Sequence, residues 1–311
     1  GRQSSGSDVR RAMADFVGML AQCAFGFLLV ASLIPAWLAC ISARLVALCL
    51  PSERRAAFEK RVSGVLIVML VLLWRLLFFL CPWIRMEIFD DQDGSLLGAS
   101  GKPAVLVMNH TSFLDALLAV SLAPIHRSPD VRVLVANYVF DIPLLGTVMR
   151  AIGLAEVPFK GAAGEYSNMA VDKGLMDERL KAFNDHVKCG GVGAWFPEGL
   201  RNRGDAAILQ EFRAGAFSVP VSTDVEIWCF AAVGCNVCWP VKSMIGGLPA
   251  LIRVKAFRLT RSSHSLLADV EGDERAKAIH MASVVKKAVQ DGINELVAKD
   301  SSSKPGQVKC S

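Results

Sequence analysis

Charge is scarce in this chain: Asp, Glu, Lys and Arg together make up 20% of its 311 residues, whereas hydrophobic residues make up 53%. A chain with this composition is not expected to be disordered as a whole, and it is more apolar than an ordinary soluble domain. The net charge of +5 favours anionic lipids or phosphorylated ligands but does not indicate a nucleic-acid-binding protein. We therefore expect part of the chain to contact lipid.

No disulfide framework is visible among the nine cysteines, several of which lie inside apolar runs. Cys235 and Cys238 form a CxxC pair, but no second pair of cysteines or histidines follows at the spacing of a zinc site. We expect both thiols to pack as small hydrophobes, with metal binding or redox chemistry as the alternative. The sequence predicts neither a metal site nor a cofactor.

Two long apolar runs lie near the N-terminus: residues 16–50 contain one charge, Arg44, and residues 62–84 contain one charge, Arg75. Each run is long enough to span a bilayer, and residues 51–61 between them carry four Lys or Arg side chains that suit anionic head groups. The pattern predicts a hydrophobic helical hairpin. A cleaved signal peptide is less expected, because the first run is far longer than a signal core and a second run follows.

Two features bear on how the hairpin meets the membrane. Pro35 is expected to interrupt the first run, and Arg75 interrupts the second run near its middle. Both features favour a hairpin that dips into one leaflet over two complete spans, with helices that merely cover a soluble core as the alternative. Because the chain begins with Gly1 and not with methionine, we expect it to be trimmed or part of a longer protein.

Beyond residue 85, short β-branched runs alternate with amphipathic helical patterns, which predicts an α/β domain. We divide the chain into N-terminal hydrophobic helices at 1–85, this domain at 86–299 and a flexible tail at 300–311. Buried strands are predicted at residues 104–109, 131–136, 192–196 and 225–233, and amphipathic helices at 175–187 and 279–296.

One of the five histidines, His110, directly follows a predicted buried strand, in a turn at which chemistry is often placed. Asp115 lies five residues further on, about one turn into the helix that follows. The two side chains can meet only if His110 lies outside that helix, because five helical residues would separate them by roughly 140°. The pair then forms a general base for a hydroxyl that the substrate brings, with a capping or core role as the alternative.

A second turn, at residues 195–203, follows another predicted strand. Gly199 lets backbone approach a ligand, and Glu198 is positioned to accept a hydrogen bond from a ligand hydroxyl. Arg201 and Arg203 suit a phosphate, because the guanidinium group donates two parallel hydrogen bonds. The alternative is a solvated turn with a surface ion pair.

The His-x4-Asp motif within residues 109–115, followed by Phe-Pro-Glu-Gly at 196–199, resembles the glycerolipid acyltransferases. Within them it is most similar to the 1-acyl-sn-glycerol-3-phosphate (lysophosphatidic acid) acyltransferases. The resemblance covers roughly residues 85–260. It implies an α/β domain with a mixed central sheet flanked by helices. It also implies that His110 is the general base and that Asp115 orients it.

The resemblance further implies that Glu198, Gly199 and Arg201 belong to the acceptor site. The chain departs from the family pattern at three positions. Lys160 stands where an arginine is usual, Leu200 replaces a threonine, and Cys229 lies about where a proline is expected. These changes leave the predicted reaction in place and bear on the choice of acceptor. Because they are cationic, Lys160, Arg201 and Arg203 are assigned to the phosphate of the acceptor.

We therefore predict an O-acyltransferase that moves an acyl group from acyl-CoA, or from acyl carrier protein, to the hydroxyl of lysophosphatidic acid, giving phosphatidic acid. An enzyme of the same fold that acts on glycerol-3-phosphate or another lysophospholipid is the first alternative, and a non-catalytic membrane lipid-binding protein is the second. The expected partners are the acyl donor, the lysophospholipid acceptor and membrane lipid, with no nucleic acid. The expected location is a membrane, with the catalytic domain at its cytosolic face.

Overall fold

A computed structural model of the chain describes residues 3–90, 97–99, 101–160 and 170–302. Nine strands are described: β1 Ile84–Asp90, β2 Ala104–Met108, β3 Val131–Ala136, β4 Ala155–Val157, β5 Phe159–Lys160, β6 Ala170–Val171, β7 Val192–Trp195, β8 Glu226–Val233 and β9 Ala250–Thr260. The α-helices of the described residues are α1 Gln3–Leu48, α2 Ser52–Leu80, α3 Leu114–Leu122, α4 Leu145–Ala151, α5 Lys173–Lys188, α6 Ser218–Ser222, α7 Cys235–Cys238 and α8 Glu274–Ser302.

Seven strands form one mixed sheet in the order β1-β9-β8-β2-β7-β3-β4. The neighbouring pairs are parallel except β8 and β9, which are antiparallel. The carboxyl ends of β2, β7 and β8 therefore meet at one edge of the sheet. This arrangement confirms the predicted α/β fold with a mixed central sheet. The four predicted strands correspond to β2, β3, β7 and β8, with differences of no more than one residue at their ends.

Helices cover both faces of the sheet, and the alternation of side chains along β2 shows how. Leu106 and Met108 pack in a core that includes α2, α3 and α4, whereas Val105 and Val107 pack in a second core with α5 and α8. Every side chain of β2 is buried, which explains why this strand is a continuous apolar run in the sequence.

The two long N-terminal helices form the predicted hairpin, and both are long and apolar enough to cross a membrane. Helix α1 continues through Pro35, so the expected interruption at this residue does not occur. The apolar stretch of α1 is only 22% buried and that of α2 is 44% buried. Helix α1 therefore leaves most of its apolar surface open, whereas one face of α2 belongs to the protein core.

Arg75, the single charge in the apolar part of α2, makes defined bonds. Its guanidinium group donates to the carbonyl oxygens of Ser121 and Ala123, each at 2.8 Å. These groups lie at the C-terminal end of α3, where carbonyls lack partners within the helix. Arg75 therefore supplies a basic cap that the last turn of α3 does not carry itself.

The predicted division at residue 85 follows composition and not packing. Leu70 and Trp74 of α2 lie in the same core as Leu106 of β2, and β1 begins four residues after α2 ends. As a domain boundary, residue 85 stays a prediction. Helix α8 continues to Ser302, three residues into the tail expected at 300–311, and residues 303–311 lie outside the described part of the chain.

Candidate active site

The first predicted motif lies at the carboxyl edge of the sheet, where β2 ends. Asn109 is buried and fixes this edge: its amide nitrogen donates to the Ala232 carbonyl oxygen at 2.9 Å, and its amide oxygen accepts from the Ala232 N–H at 2.8 Å. The two bonds join the end of β2 to β8. His110 follows directly and is therefore held at a fixed position beside two strands.

His110 and Asp115 are in contact. The His110 Nδ1 atom lies 3.2 Å from Asp115 Oδ2, and Asp115 is the second residue of α3. As the spacing required, His110 lies outside the helix. The same Asp115 oxygen also accepts the backbone N–H groups of Thr111 at 2.6 Å and Ser112 at 2.8 Å. The carboxylate is thus fixed by the turn that carries the histidine, and the histidine cannot be oriented independently of it.

The surroundings of the His110 ring leave one nitrogen available. The ring stacks on Phe196, with the centroids 4.1 Å apart, and its side chain is 17% exposed. No group of the described residues forms a hydrogen bond with Nε2. This nitrogen points away from the Asp115 bond by the geometry of imidazole, so an acceptor hydroxyl can reach it.

Glu198 joins the two predicted motifs, which the sequence did not indicate. It is only 4% exposed, its Oε1 accepts the backbone N–H of His110 at 2.7 Å, and its Oε2 accepts the backbone N–H of Gln210 at 3.1 Å. Burial raises the Glu198 pKa, and these two hydrogen bonds oppose the shift. Both oxygens already have backbone partners, so the structure gives Glu198 a role in positioning His110. Its predicted contact with a ligand hydroxyl stays a prediction.

Gly199 occupies a position that disfavours any other residue. Its φ is +76°, a region that side chains rarely adopt, and a Cβ atom there would lie 2.6 Å from Arg213 Nε. The exposed side chain of Arg213 therefore lies beside the turn, although sequence reasoning assigned it no role. The Arg213 N–H also donates to the Pro197 carbonyl at 2.8 Å, which brings the following loop back to the turn.

Arg201 lies beside the turn of the first motif. Its guanidinium carbon is 3.7 Å from the centroid of the Phe113 ring, and Nη1 donates to the Val241 carbonyl at 3.4 Å. Because the Arg201 side chain is only partly buried, N–H groups of its guanidinium group remain able to bind an anion. Arg203, two residues on, is exposed.

Lys160 lies apart from these residues. It belongs to the short strand β5, is 65% exposed, and its Nζ is 3.2 Å from Asp172 Oδ2. A hydrogen bond from Lys160 is the main reason that the Asp172 pKa is lowered. Across the described residues, no hydrogen bond or ion pair joins Lys160 to His110 or Arg201. Its assignment to the acceptor phosphate stays a prediction.

The CxxC cysteines lie behind the site. Cys235 and Cys238 are fully buried at the two ends of α7, in the same core as α2. Burial, followed by the negative charge of Asp115, raises the Cys235 pKa, and burial raises that of Cys238 to about 12. Thiols that resist ionisation behave as packing groups. Within the described ranges, no cluster of three or more His, Cys, Asp or Glu side chains could hold a metal ion.

An apolar cavity of about 90 Å³ lies between the sheet and the hairpin. Leu70 and Trp74 of α2 form part of one wall, and Leu106 and Met108 of β2 form part of the opposite wall. Met108 is two residues before His110, so the cavity lies close to the first motif along the chain. Such a space, with almost entirely apolar walls, suits a hydrocarbon chain.

Comparisons with known proteins show what this chain is similar to. Residues 93–233, which include both motifs, match the family model described as Acyltransferase. A chloroplastic 1-acyl-sn-glycerol-3-phosphate acyltransferase of Arabidopsis thaliana is 30% identical over 147 residues, which are 47% of this chain and 36% of that protein. A chloroplastic protein of the same name from Brassica napus is 28% identical over 166 residues, which are 52% of this chain and 43% of that protein. The chain thus spans less than half of the length of these curated relatives.

The fold is similar to the crystal structure of the 1-acyl-sn-glycerophosphate (LPA) acyltransferase from Thermotoga maritima. The TM-score is 0.64, and the match covers 92% of this chain and 98% of that one. At 12% identity, this likeness shows the fold alone. Together with the family match and the plant relatives, it confirms the resemblance to the glycerolipid acyltransferases that the two motifs indicated.

Proposed function

We propose that this chain, whose residues 93–233 match the Acyltransferase family model, transfers an acyl group to the free hydroxyl of lysophosphatidic acid and so produces phosphatidic acid. The proposed donor is acyl-CoA. The observation that carries the proposal is the bond between His110 Nδ1 and Asp115 Oδ2, at 3.2 Å, in a His110 side chain that is 17% exposed.

In the proposed reaction, His110 Nε2 takes the proton of the acceptor hydroxyl while that oxygen attacks the thioester carbonyl carbon. The carbon–sulfur bond then breaks, and the CoA sulfur leaves as a thiolate that receives the proton from the imidazolium. Asp115 stabilises the imidazolium that exists between these steps. Glu198 contributes by fixing the His110 backbone, because it accepts the N–H of that residue.

We assign the apolar cavity to the acyl chain of the donor or acceptor. Its walls come from α2, α3, α4 and the sheet, and Ser128 is the only polar residue among those that line it in the described structure. Burying a methylene group there gains about 0.8 kcal/mol. Because Met108 lines the cavity and leads directly into the His110 turn, a chain held there would leave its carboxyl end near the base.

The acceptor phosphate is assigned to Arg201, Arg203 and Lys160. Arg201 stacks on Phe113, next to the turn of the base, and therefore makes the principal contact in this assignment. Lys160 would have to exchange its ion pair with Asp172 for the phosphate. That exchange is inexpensive, because an ion pair between side chains that reach the solvent contributes little to stability.

We further propose that the hairpin inserts into one leaflet and leaves the catalytic domain at the cytosolic face. From Ser63 to Phe78, one face of α2 is buried on the rest of the protein. A helix packed along most of its length on a polar domain cannot cross the bilayer while that domain stays outside. The exposed apolar side chains of α1, such as Phe27 and Phe16, are then available to lipid.

A direct assay tests the function. The purified full chain is supplied with labelled acyl-CoA or acyl carrier protein and with a panel of acceptors: lysophosphatidic acid, glycerol-3-phosphate and lysophospholipids with larger head groups. We expect phosphatidic acid as the main product. A product formed only from another acceptor would correct the substrate, and thioester cleavage without any acceptor would indicate a hydrolase. No turnover of any donor would contradict the proposal.

A further inference from the structure

Residues 240–248, which connect α7 to β9 and are called here the 240–248 loop, present apolar side chains at their tip. Met244 is 95% exposed and Ile245 is 48% exposed. Single apolar side chains on a surface need no explanation. Three further properties of this loop, however, distinguish it from an ordinary surface turn.

The first property is that several backbone groups of the loop are bonded within the protein. The Ser243 carbonyl accepts the Trp239 indole N–H at 3.1 Å, and the Ile245 carbonyl accepts from the Gln22 amide at 3.1 Å and from the Ser243 hydroxyl at 2.6 Å. The Pro240 carbonyl accepts the Ser243 N–H at 2.9 Å. Carbonyls that already have partners lose little when water is removed, and an apolar environment demands such partners.

The second property is that the loop is seated on α1. Gly18 and Gly26 lie one above the other along the helix, with Gln22 between them, as the spacing of four residues requires. A Cβ atom at Gly26 would lie 3.0 Å from Ile245 Cγ2, and one at Gly18 would lie 3.3 Å from Leu248 Cδ2. The two glycines therefore give the loop room to approach the helix closely.

The third property is that the loop continues the open apolar surface of α1. Val30 lies one turn beyond Gly26 on the same side of α1 and is 51% exposed. Phe27, three residues before Val30 and therefore its neighbour on the helix surface, is 74% exposed. Lys242 is exposed within the loop itself and places a positive charge beside the apolar tip. An apolar tip with a neighbouring cation fits a bilayer that contains anionic head groups.

The loop is also attached to the candidate active site. The Trp239 carbonyl, at the base of the loop, accepts the Ser112 hydroxyl at 2.8 Å, and the Val241 carbonyl accepts from Arg201 at 3.4 Å. The Trp239 ring lies 5.6 Å from the Phe113 ring, centroid to centroid. These contacts hold the loop next to the His110 turn and next to Arg201.

We propose that the 240–248 loop is a third membrane-contacting element, next to the two helices of the hairpin, and that Met244 and Ile245 insert into the acyl region of the bilayer. The loop then places the mouth of the active site at the lipid surface, where an acceptor that resides in the bilayer is already present. This inference rests on the proposed function for its purpose, since it uses the membrane position of α1, but its central test requires no enzymatic activity.

The central test measures contact with lipid directly. Met244→Trp is made in the full chain, with Phe27→Trp on α1 and Leu175→Trp on α5 as matched variants, because all three positions carry exposed apolar side chains. Each protein is reconstituted into phosphatidylcholine vesicles with or without bromine on the acyl chains, and the signal of the six native tryptophans is subtracted. We expect bromine to quench the added tryptophan at 244 and at 27, and not at 175.

The outcomes separate this proposal from the proposed function. Quenching at 27 with none at 244 overturns the loop proposal alone. Absence of quenching at both positions overturns it together with the insertion of the hairpin, whatever the activity. If Met244→Asp converts a dimer in detergent into a monomer, the surface belongs to a second copy of the chain, and the proposal is again overturned.

A kinetic test adds the consequence for catalysis. Met244→Asp should lower kcat/KM for lysophosphatidic acid in vesicles by about tenfold or more, as expected when an apolar side chain that inserts into the bilayer becomes charged. It should leave kcat/KM for a short-chain acceptor dissolved in water unchanged. Leu175→Asp should leave both values unchanged. Equal losses in the two assays with Met244→Asp would mean that the loop acts on the site and not on the membrane.

Discussion

Replacing Asp115 with asparagine removes one negative charge while preserving the geometry around His110. The backbone N–H groups of Thr111 and Ser112 both donate to Asp115 Oδ2. An amide nitrogen placed there would face two donors, so the asparagine oxygen is expected to occupy that position. The same oxygen can still accept a hydrogen bond from Nδ1 of His110. We therefore expect the imidazole to keep its working tautomer, in contrast to the usual concern about such substitutions.

The loss of rate then measures the charge. The carboxylate and the imidazolium are separated by 3.2 Å between nearest atoms, and Asp115 is almost fully buried. At an effective dielectric constant of about 20 and a charge separation of about 4 Å, their attraction is about 4 kcal/mol. In the proposed reaction the imidazolium forms when His110 takes the proton of the acceptor hydroxyl, so this energy would lower the barrier, and its loss corresponds to about a 10³-fold decrease in kcat.

Asp115→Ala separates charge from support. It leaves two buried N–H groups without an acceptor, each at a cost of about 1–3 kcal/mol, so this variant should be clearly less stable than Asp115→Asn. Initial rates of acyl transfer and urea unfolding of both variants test the argument, with Asp224→Asn as the control because Asp224 also accepts a backbone N–H, from His264. If Asp115→Asn keeps more than about a tenth of the wild-type rate, far above the loss calculated for the charge, the proposed role is refuted.

Four further substitutions test the other assigned residues. His110→Ala should decrease the rate by about 10²- to 10⁴-fold with an unchanged fold by circular dichroism, and a rate above a tenth of the wild type would contradict its role as the base. Glu198→Gln should decrease stability by about 1–3 kcal/mol and lower kcat, because an amide oxygen can accept only one of the two backbone N–H groups that Glu198 binds. The control for urea unfolding is Glu226→Gln, because Glu226 begins β8 at the end of the strand remote from the candidate site and accepts the Trp228 indole N–H with one oxygen. Arg201→Ala should raise the KM for lysophosphatidic acid and leave the saturation curve for acyl-CoA unchanged. Lys160→Arg should be tolerated or should bind the acceptor better. If both variants have the same acceptor saturation curve as the wild type, these residues do not belong to the phosphate site.

Periodicity and turn residues were sufficient for most of the fold. The buried run at 104–109 and the polar turn after it predicted both a central strand and the position of His110, because a strand buried on both faces has a continuous apolar sequence. The length of the two N-terminal runs likewise predicted the helices of the hairpin. The contact of His110 with Asp115 followed from their spacing, once the histidine was placed outside the helix.

Contacts between segments far apart in the sequence could not be predicted in this way. Glu198 reaches the His110 backbone across 88 residues, and no local pattern shows that both of its oxygens are occupied by N–H groups. Pro35 was expected to interrupt the first apolar run, but α1 continues through it. A proline inside a helix removes one backbone hydrogen bond and bends the helix, and a long helix with tertiary contacts can tolerate both effects. Lys160 matched a family position, yet its nearest charged partner, Asp172, could be found only in the structure.

Arg75 shows why the hairpin and the α/β part of the chain are packed as one structure. In the sequence, a single charge within an apolar run indicated shallow burial in lipid, but the side chain in fact caps α3, the helix whose second residue is Asp115. Helix α2 therefore contacts the candidate active site at two places: its arginine bonds to the C-terminal end of α3, and Leu70 and Trp74 line the cavity beside β2. Removing residues 1–84 would open this cavity to water and leave the end of α3 without its cap. A loss of activity in such a truncated protein would thus report damage to the site itself, whereas substitutions of exposed apolar side chains on α1 or on the 240–248 loop can isolate the contribution of the membrane.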